Sequence, residues 1–581
     1  MLSRLTSFRK NTSIMFINKQ IALIGWNQSA KISKCPLITL NAARFISCRP
    51  FIYGQNFHSQ NCNHKKEENN TNEVALSIFN RALHFEDKIA LKDQFGLYTY
   101  SSLLQASIKL SKEYGENLQG KFGERVAFLC PNDSSYIFAL WASWINGQIA
   151  VPLSPLHPES MLEYYVEDCS AQLLVTTSEY APLLEPISSK EGIKLIVLDK
   201  SLRDDAVATE INNGSEVKME TCEPIISHQS FQLPNRFYDE NDALIIYTSG
   251  STGMPKGVVV SHRSLQTQIE NMLTAWSWRA SDCILHTLPL HHTHGIINAL
   301  LCPLAAGAKS IHKQSVAVDL KFFFRLFMCG SAPLPVQIFD RWKTITGHAI
   351  LERYGMTETG MTLTNPLQGE RLSGRVGTPF PSVRVRLVNS NDGSTLSIGT
   401  SKSTKLLQKT KEDVVAGELQ VQGENLFKQY FNKPDKTAEE FTSDGWFKTG
   451  DYAEYNTKSD SYAILGRTSV DIIKTGGYKV SAIHVETALR DHPDIDDLAI
   501  IGIPDFTWGQ KVAAVIVPKQ GIELDLIKLK EWTKAKLPPY EIPSVYKLVS
   551  KIPRNAMGKV NKRDLTKQLF PEGRMKGLQS Q

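Results

Sequence analysis

An apolar strand that runs without a break into small and hydroxyl residues, and then into one lysine, constrains this chain more than any other feature. It reads Ala243-Leu-Ile-Ile-Tyr247, then Thr248, Ser249, Gly250, Ser251, Thr252 and Gly253, then Met-Pro-Lys256-Gly257. Glycine lets backbone N–H groups turn towards a ligand, hydroxyls add donors, and a lysine offsets phosphate charge. In chemical terms this is a phosphate cradle at the end of a buried strand. It is not a Walker A loop, because Lys256 is followed by Gly257 rather than by Ser or Thr.

The surroundings of that loop repeat one pattern. Arg125–Cys130, Leu173–Thr176, Leu195–Leu198, Ala243–Tyr247 and Ile284–Leu288 read as buried strands. Ile137, Leu140, Trp141 and Trp144 share one face of a helix between the first two. Strands alternating with helices predict an α/β fold, mostly parallel sheets with helices on their faces. Residues 199–240 and Asn389–Lys411 are polar and read as surface excursions. Beyond Gly466-Arg467 the texture changes. Val480–Leu489 predicts a helix, Asp497–Ile503 and Val512–Val517 predict strands, and Leu524–Leu537 predicts a second helix ended by Pro538-Pro539. A segment of this size makes a compact α+β domain. The organisation expected is a large domain over 70–466, a hinge at 467–471 and a small domain over 472–575.

Charge divides the chain again. Residues 1–66 hold ten basic side chains and no acid, which leaves 55 basic against 59 acidic residues in the rest. The body is mildly acidic, so bulk charge makes no case for nucleic-acid binding. An acid-free, Ser-dotted, Arg-bearing start describes a mitochondrial presequence with its linker and predicts a matrix location; a basic tail is the alternative. No apolar run is long enough to span a bilayer. The nine cysteines are scattered and form no Cys-x-x-Cys pair, which argues against a zinc ribbon or a disulfide scaffold. Oligomeric state is left open.

Further motifs follow the loop in order: Arg353-Tyr-Gly-Met-Thr-Glu358, Thr449-Gly-Asp451, Gly466-Arg467, Lys474-Thr-Gly-Gly-Tyr-Lys479 and Pro553-Arg-Asn-Ala-Met-Gly-Lys559. Over about residues 75–570 the chain resembles the adenylate-forming superfamily of acyl-CoA synthetases, luciferases and peptide-synthetase adenylation domains. The resemblance implies a large domain of stacked sheets with a small β-barrel, followed by a small mobile domain. It also implies ATP, Mg²⁺ and coenzyme A: ATP turns a carboxylate into an acyl-adenylate with loss of pyrophosphate, and the CoA thiol then displaces AMP. By matched position, Thr248–Gly253 and Lys256 would bind the β- and γ-phosphates, Tyr354 would stack on adenine, and Thr357 would contact the α-phosphate. Glu358 would hold the metal, as a hard oxygen ligand does. Asp451 would accept the ribose hydroxyls, and Arg467 would lie near the ribose and α-phosphate. Lys559 would reach in from the small domain during adenylation. Lys474, Gly476, Gly477 and Tyr478 would face the pantetheine arm in the other orientation, with the Trp508-Gly-Gln510 turn on the same side.

Arg353 stands where most relatives have a small residue, at the start of the acyl pocket. A cation there is unfavourable beside a fatty chain and favourable beside a second carboxylate. The alternative is a pairing with Glu352 or Asp340. With His292 and His294 at the gate of that pocket, the chain is similar to the malonyl-CoA synthetase branch, which implies malonate as the acid; a medium-chain acid or methylmalonate is the alternative. One departure matters. Only His312–Arg325 separates the strand candidates Lys309–Ile311 and Leu326–Cys329. That is room for one crossover helix, of which Val316–Phe324 has the look, and not for the additional strand that relatives carry there. A shortened chain that binds nucleotide or a partner without turnover is therefore the competing expectation.

Overall fold

The computed structural model describes residues 13–17, 78–213, 216–220, 233–248, 254–312, 324–331, 334–408, 413–476, 478–554 and 560–571. A seven-stranded sheet runs, in spatial order, Gln429–Tyr430, Lys256–Ser261, Asp242–Thr248, Ile149–Pro152, Arg125–Leu129, Leu173–Thr177 and Lys194–Leu198. The pairings from Asp242–Thr248 onwards to Lys194–Leu198 are parallel. Ala243, Leu244, Ile245 and Ile246 are all buried, as both faces of an interior strand in a helix-covered parallel sheet must be. Helix Ser134–Ile145 covers one face. Asp133 caps it through Ser135 N–H at 2.9 Å, and buried Trp144 donates from Nε1 to Ala243 O at 2.8 Å. That bond fixes the helix to the strand that carries the glycine loop.

A second sheet has nine strands, in the order Thr378–Pro379, Gly360–Thr364, Leu351–Met356, Phe324–Cys329, Ser13–Ile17, Cys283–His286, Lys309–His312, Ile89–Lys92 and Leu97–Thr99. Its middle answers the question raised by the short 312–325 connection. Ser13–Ile17 lies parallel between Cys283–His286 and Phe324–Cys329, with Ile14 opposite Ile284 on one side and Leu326 on the other. The residues that supply a strand at this position thus come from the basic amino-terminal segment. The helix expected over Val316–Phe324 falls mostly outside the described residues, and Phe324 already belongs to a strand.

A six-stranded antiparallel sheet supplies the all-β element of the large domain, from Thr404–Leu406 through Thr395–Gly399, Arg384–Val388, Val414–Gln422 and Phe447–Asn456 to Ser461–Arg467. After residues 468–471 a five-stranded sheet begins with Ile472–Thr475 and Tyr478–Ser481, and is built around the long pair Ile495–Asp505 and Gly509–Pro518. Val480 is in a strand here, not in the helix that its spacing predicts. Ser481 accepts His484 N–H at 3.1 Å and so starts the helix at Ala482. Apolar residues cover both faces of this sheet.

Candidate active site

Thr248 is the last residue of its strand, and antiparallel register sets it opposite Lys256. The Lys256 ammonium sits 3.7 Å from the centroid of the Tyr430 ring and 3.7 Å from Glu440 Oε1. Ser249, Gly250, Ser251, Thr252 and Gly253 lie outside the described residues, and so do Gly477 and Lys559.

The hairpin of Leu351–Met356 and Gly360–Thr364 presents the next group. Tyr354 donates its phenol to Asp451 Oδ2. Asp451 is buried and pairs through Oδ1 with Arg467 Nε at 2.8 Å. The pairing of Phe447–Asn456 with Ser461–Arg467 puts Asp451 and Arg467 directly opposite one another. Both carboxylate oxygens of Asp451 therefore already carry a protein donor, and a ribose would share their remaining lone pairs. Burial, then the Asp451 charge, push the Tyr354 phenol well above its ordinary pKa. Glu358 is buried in the turn region of the hairpin; its Oε1 accepts from Tyr430 O–H at 3.0 Å. Burial raises the Glu358 pKa, and the Tyr430 hydrogen bond, Arg467 and Lys256 oppose the rise. Thr357 is part-buried beside it.

Arg353, one residue before Tyr354, is 3% exposed. Its Nη2 lies 2.6 Å from His294 Nδ1, and Ser331 Oγ lies 3.2 Å from the same nitrogen. The guanidinium rests against Gly330, where an added Cβ would come within 2.2 Å of Nη1. Only glycine fits there. Neither acid considered as a partner is used: Glu352 points to the other face of the strand and accepts Gly374 N–H at 2.9 Å, and among the described residues no carboxylate pairs with Arg353. Burial pulls the guanidinium from 12.5 to about 10, so it stays charged at neutral pH. Burial, with the Arg353 charge second, holds His294 well below 6.5 and therefore neutral. His292 is part-buried and packs edge-on to His291, with ring centroids 5.5 Å apart.

On the five-stranded sheet, Lys474 N–H donates to Gln510 Oε1 at 2.8 Å and Gly476 N–H to Trp508 O at 2.9 Å. Gly476 has φ +56°, and a Cβ there would meet the Trp508 ring at 2.8 Å. The Trp508–Gln510 turn thus packs on the glycine turn. Tyr478 is exposed and stacks on Tyr540 with centroids 4.3 Å apart.

Tyr430 is the residue that sequence reasoning missed. It touches both Lys256 and Glu358, yet it enters through a two-residue strand paired with Val258 and Val259, and no local motif marks it.

Comparison with known proteins follows the same lines. The AMP-binding enzyme model matches residues 78–323 and 310–431, two pieces that meet at the short connection, and the AMP-binding enzyme C-terminal domain matches 484–559. The mitochondrial malonate–CoA ligase ACSF3 of Mus musculus is 42% identical over 556 residues, covering 86% of this chain and 91% of that protein. ATP-bound MatB from Rhodopseudomonas palustris superposes with a TM-score of 0.71 at 27% identity, covering 85% of this chain and 98% of its own. A malonyl-CoA ligase ternary product complex with methylmalonyl-CoA and AMP bound gives 0.53 at 29% identity, covering 81% and 97%.

Proposed function

The chain belongs to the AMP-binding enzyme family, and on that footing we propose that it is an AMP-forming malonate–CoA ligase that converts malonate, ATP and CoA to malonyl-CoA, AMP and pyrophosphate. The observation that carries the choice of acid is Arg353: a buried, charged guanidinium that leans on a neutral histidine and has no carboxylate partner among the described residues. A second carboxylate of the substrate completes it with two parallel N–H···O bonds. Methylmalonate has the same two carboxylates, and the ligase complex that holds its thioester keeps it as the second candidate.

In this reading one malonate carboxylate is anchored by Arg353 while an oxygen of the other attacks the α-phosphorus, and the bond to the pyrophosphate oxygen breaks. Tyr354 and the Asp451–Arg467 pair hold adenine and ribose. Lys256 and the Thr248–Gly253 loop offset charge on the leaving pyrophosphate, and Lys559 does so on the α-phosphate. The CoA sulfur then attacks the acyl carbonyl and AMP departs, with the Lys474–Tyr478 turn beside the thiol arm. Glu358 fits Mg²⁺ in kind, as a hard carboxylate steadied by Tyr430 on one oxygen; the ion would neutralise phosphate charge there. The names of the relatives and the acid-free start support a mitochondrial matrix location.

The test is pyrophosphate release by the full chain with ATP, Mg²⁺ and CoA. Turnover with malonate or methylmalonate and not with octanoate is the result expected. Preference for octanoate would overturn the dicarboxylate reading. No turnover from folded protein would leave a nucleotide-binding chain whose short 312–325 connection abolishes catalysis.

A further inference from the structure

One buried ion cluster is used by none of these roles. Lys562 opens helix Lys562–Leu569, which Asn561 caps through Asp564 N–H. Its ammonium lies 2.6 Å from Asp471 Oδ1 and 2.7 Å from Glu486 Oε1, and the lysine side chain is only 10% exposed. Asp471 is the last residue of the link between the two domains, and it is already committed there. Its Oδ2 accepts Arg467 N–H at 3.1 Å, while its own N–H donates to Arg467 O at 2.8 Å. Glu486 Oε1 also accepts Ile500 N–H at 2.9 Å, so the cluster joins link, helix Ala482–Leu489, strand Ile495–Asp505 and carboxyl-terminal helix at one point. Burial alone would lower the Lys562 pKa, but Glu486 and Asp471 outweigh it and keep the group charged.

The cluster is not needed to attach the helix. Leu565, Leu569 and Phe570 already pack with Ala499, Ile501 and Val515 on one face of the sheet. A lysine taken out of water is costly unless its partners are well placed, and of these partners Asp471 sits on the link and Glu486 on helix Ala482–Leu489. Lys559 lies three residues upstream, a reach of about 11 Å at most even for extended chain.

We propose that Lys562 is a positioning residue for adenylation: by clamping Asp471 and Glu486 it fixes the start of helix Lys562–Leu569, three residues after Lys559 in the chain, to the 467–471 link. This rests on the ligase reading above, and its test separates the two. The full-length wild-type chain is assayed first for malonate-dependent pyrophosphate release, and then for thioester formation from preformed malonyl-adenylate and CoA. Lys562→Met is expected to slow the first step at least about tenfold and the second less than about twofold, since misplacing one catalytic group by an ångström is enough for the former. Lys562→Arg should restore most of the first rate. A wild-type chain without turnover overturns the ligase reading and this inference with it. An active wild type whose Lys562→Met variant loses both steps equally, or neither, overturns the inference alone. Should Lys562→Met fail to fold, Glu486→Gln removes one of the two charges at constant size and must show the same selective loss of the first step; equal loss or none counts against the proposal.

Discussion

Glu352 and Arg353 are neighbours on one strand whose side chains leave from opposite faces, so each meets a different environment. Arg353 turns to His294 and Gly330, and its removal should act on substrate choice. Arg353→Ala is expected to lower kcat/KM for malonate about 100-fold or more while leaving ATP binding, read by calorimetry, near the wild-type value. Glu352 faces the protein interior, and burial pushes its carboxyl up to about 8. An acid raised in the folded state binds its proton there after the unfolded chain has released it. Stability from this group is therefore full below about pH 4.5 and falls as pH rises towards 8. Glu352→Gln keeps the acceptor for Gly374 N–H and should flatten that fall, adding about 1–4 kcal/mol at pH 8 and little at pH 5, with thermal midpoints at the two pH values as the measurement. The oddity of Arg353 was legible because a charge replaces a small residue inside a recognisable motif. Tyr430 was not, because what brings it to Lys256 and Glu358 is the pairing of Gln429–Tyr430 with Val258 and Val259, about 170 residues earlier in the chain.

Strand register is what converts the motif Thr-Gly-Asp and the motif Gly-Arg into one site. Asp451 and Arg467 lie opposite each other across an antiparallel pair, and the 2.8 Å ion pair follows from that register. Asp451→Asn keeps the strand and loses the charge that Arg467 uses and that a ribose would use, so the KM for ATP should rise about tenfold or more with the melting temperature almost unchanged. The turn at Gly476 behaves differently. With φ +56° and Trp508 at 2.8 Å from any Cβ, Gly476→Ala cannot be absorbed by a small rotation. Loss of the thioester step with retained adenylation is expected, read by AMP-forming pyrophosphate release against malonyl-CoA yield. Sequence pattern found these elements well where the apolar run was long, as at Ala243–Tyr247 and Val512–Val517. It failed at Val480, where strand and helix share apolar residues and only the Ser481 cap marks the change.

At the scale of the molecule, the α/β class and the two-domain order were legible because each half repeats its own texture. What could not be read was how nine strands close into one sheet across a connection too short to supply one of them. Its central place is filled by Ser13–Ile17, paired on both sides. Hydrogen exchange on the full chain tests that placement: the amides of 14–17 should exchange about 100-fold or more slowly than in a free peptide. Free-peptide rates there, with Cys283–His286 and Phe324–Cys329 protected, would remove the strand from the sheet.

The order of synthesis gives that strand a further meaning. Residues 13–17 leave the ribosome first, while the second of their partners, Phe324–Cys329, is made some 300 residues later. At about 5–20 residues per second the wait lasts roughly 15–60 s. For all of that time the Ser-Ile-Met-Phe-Ile run stands without that neighbour, and only afterwards can it become interior backbone. The sheet therefore cannot close until the chain has been made through Cys329, although the strand at its centre is among the first parts to emerge.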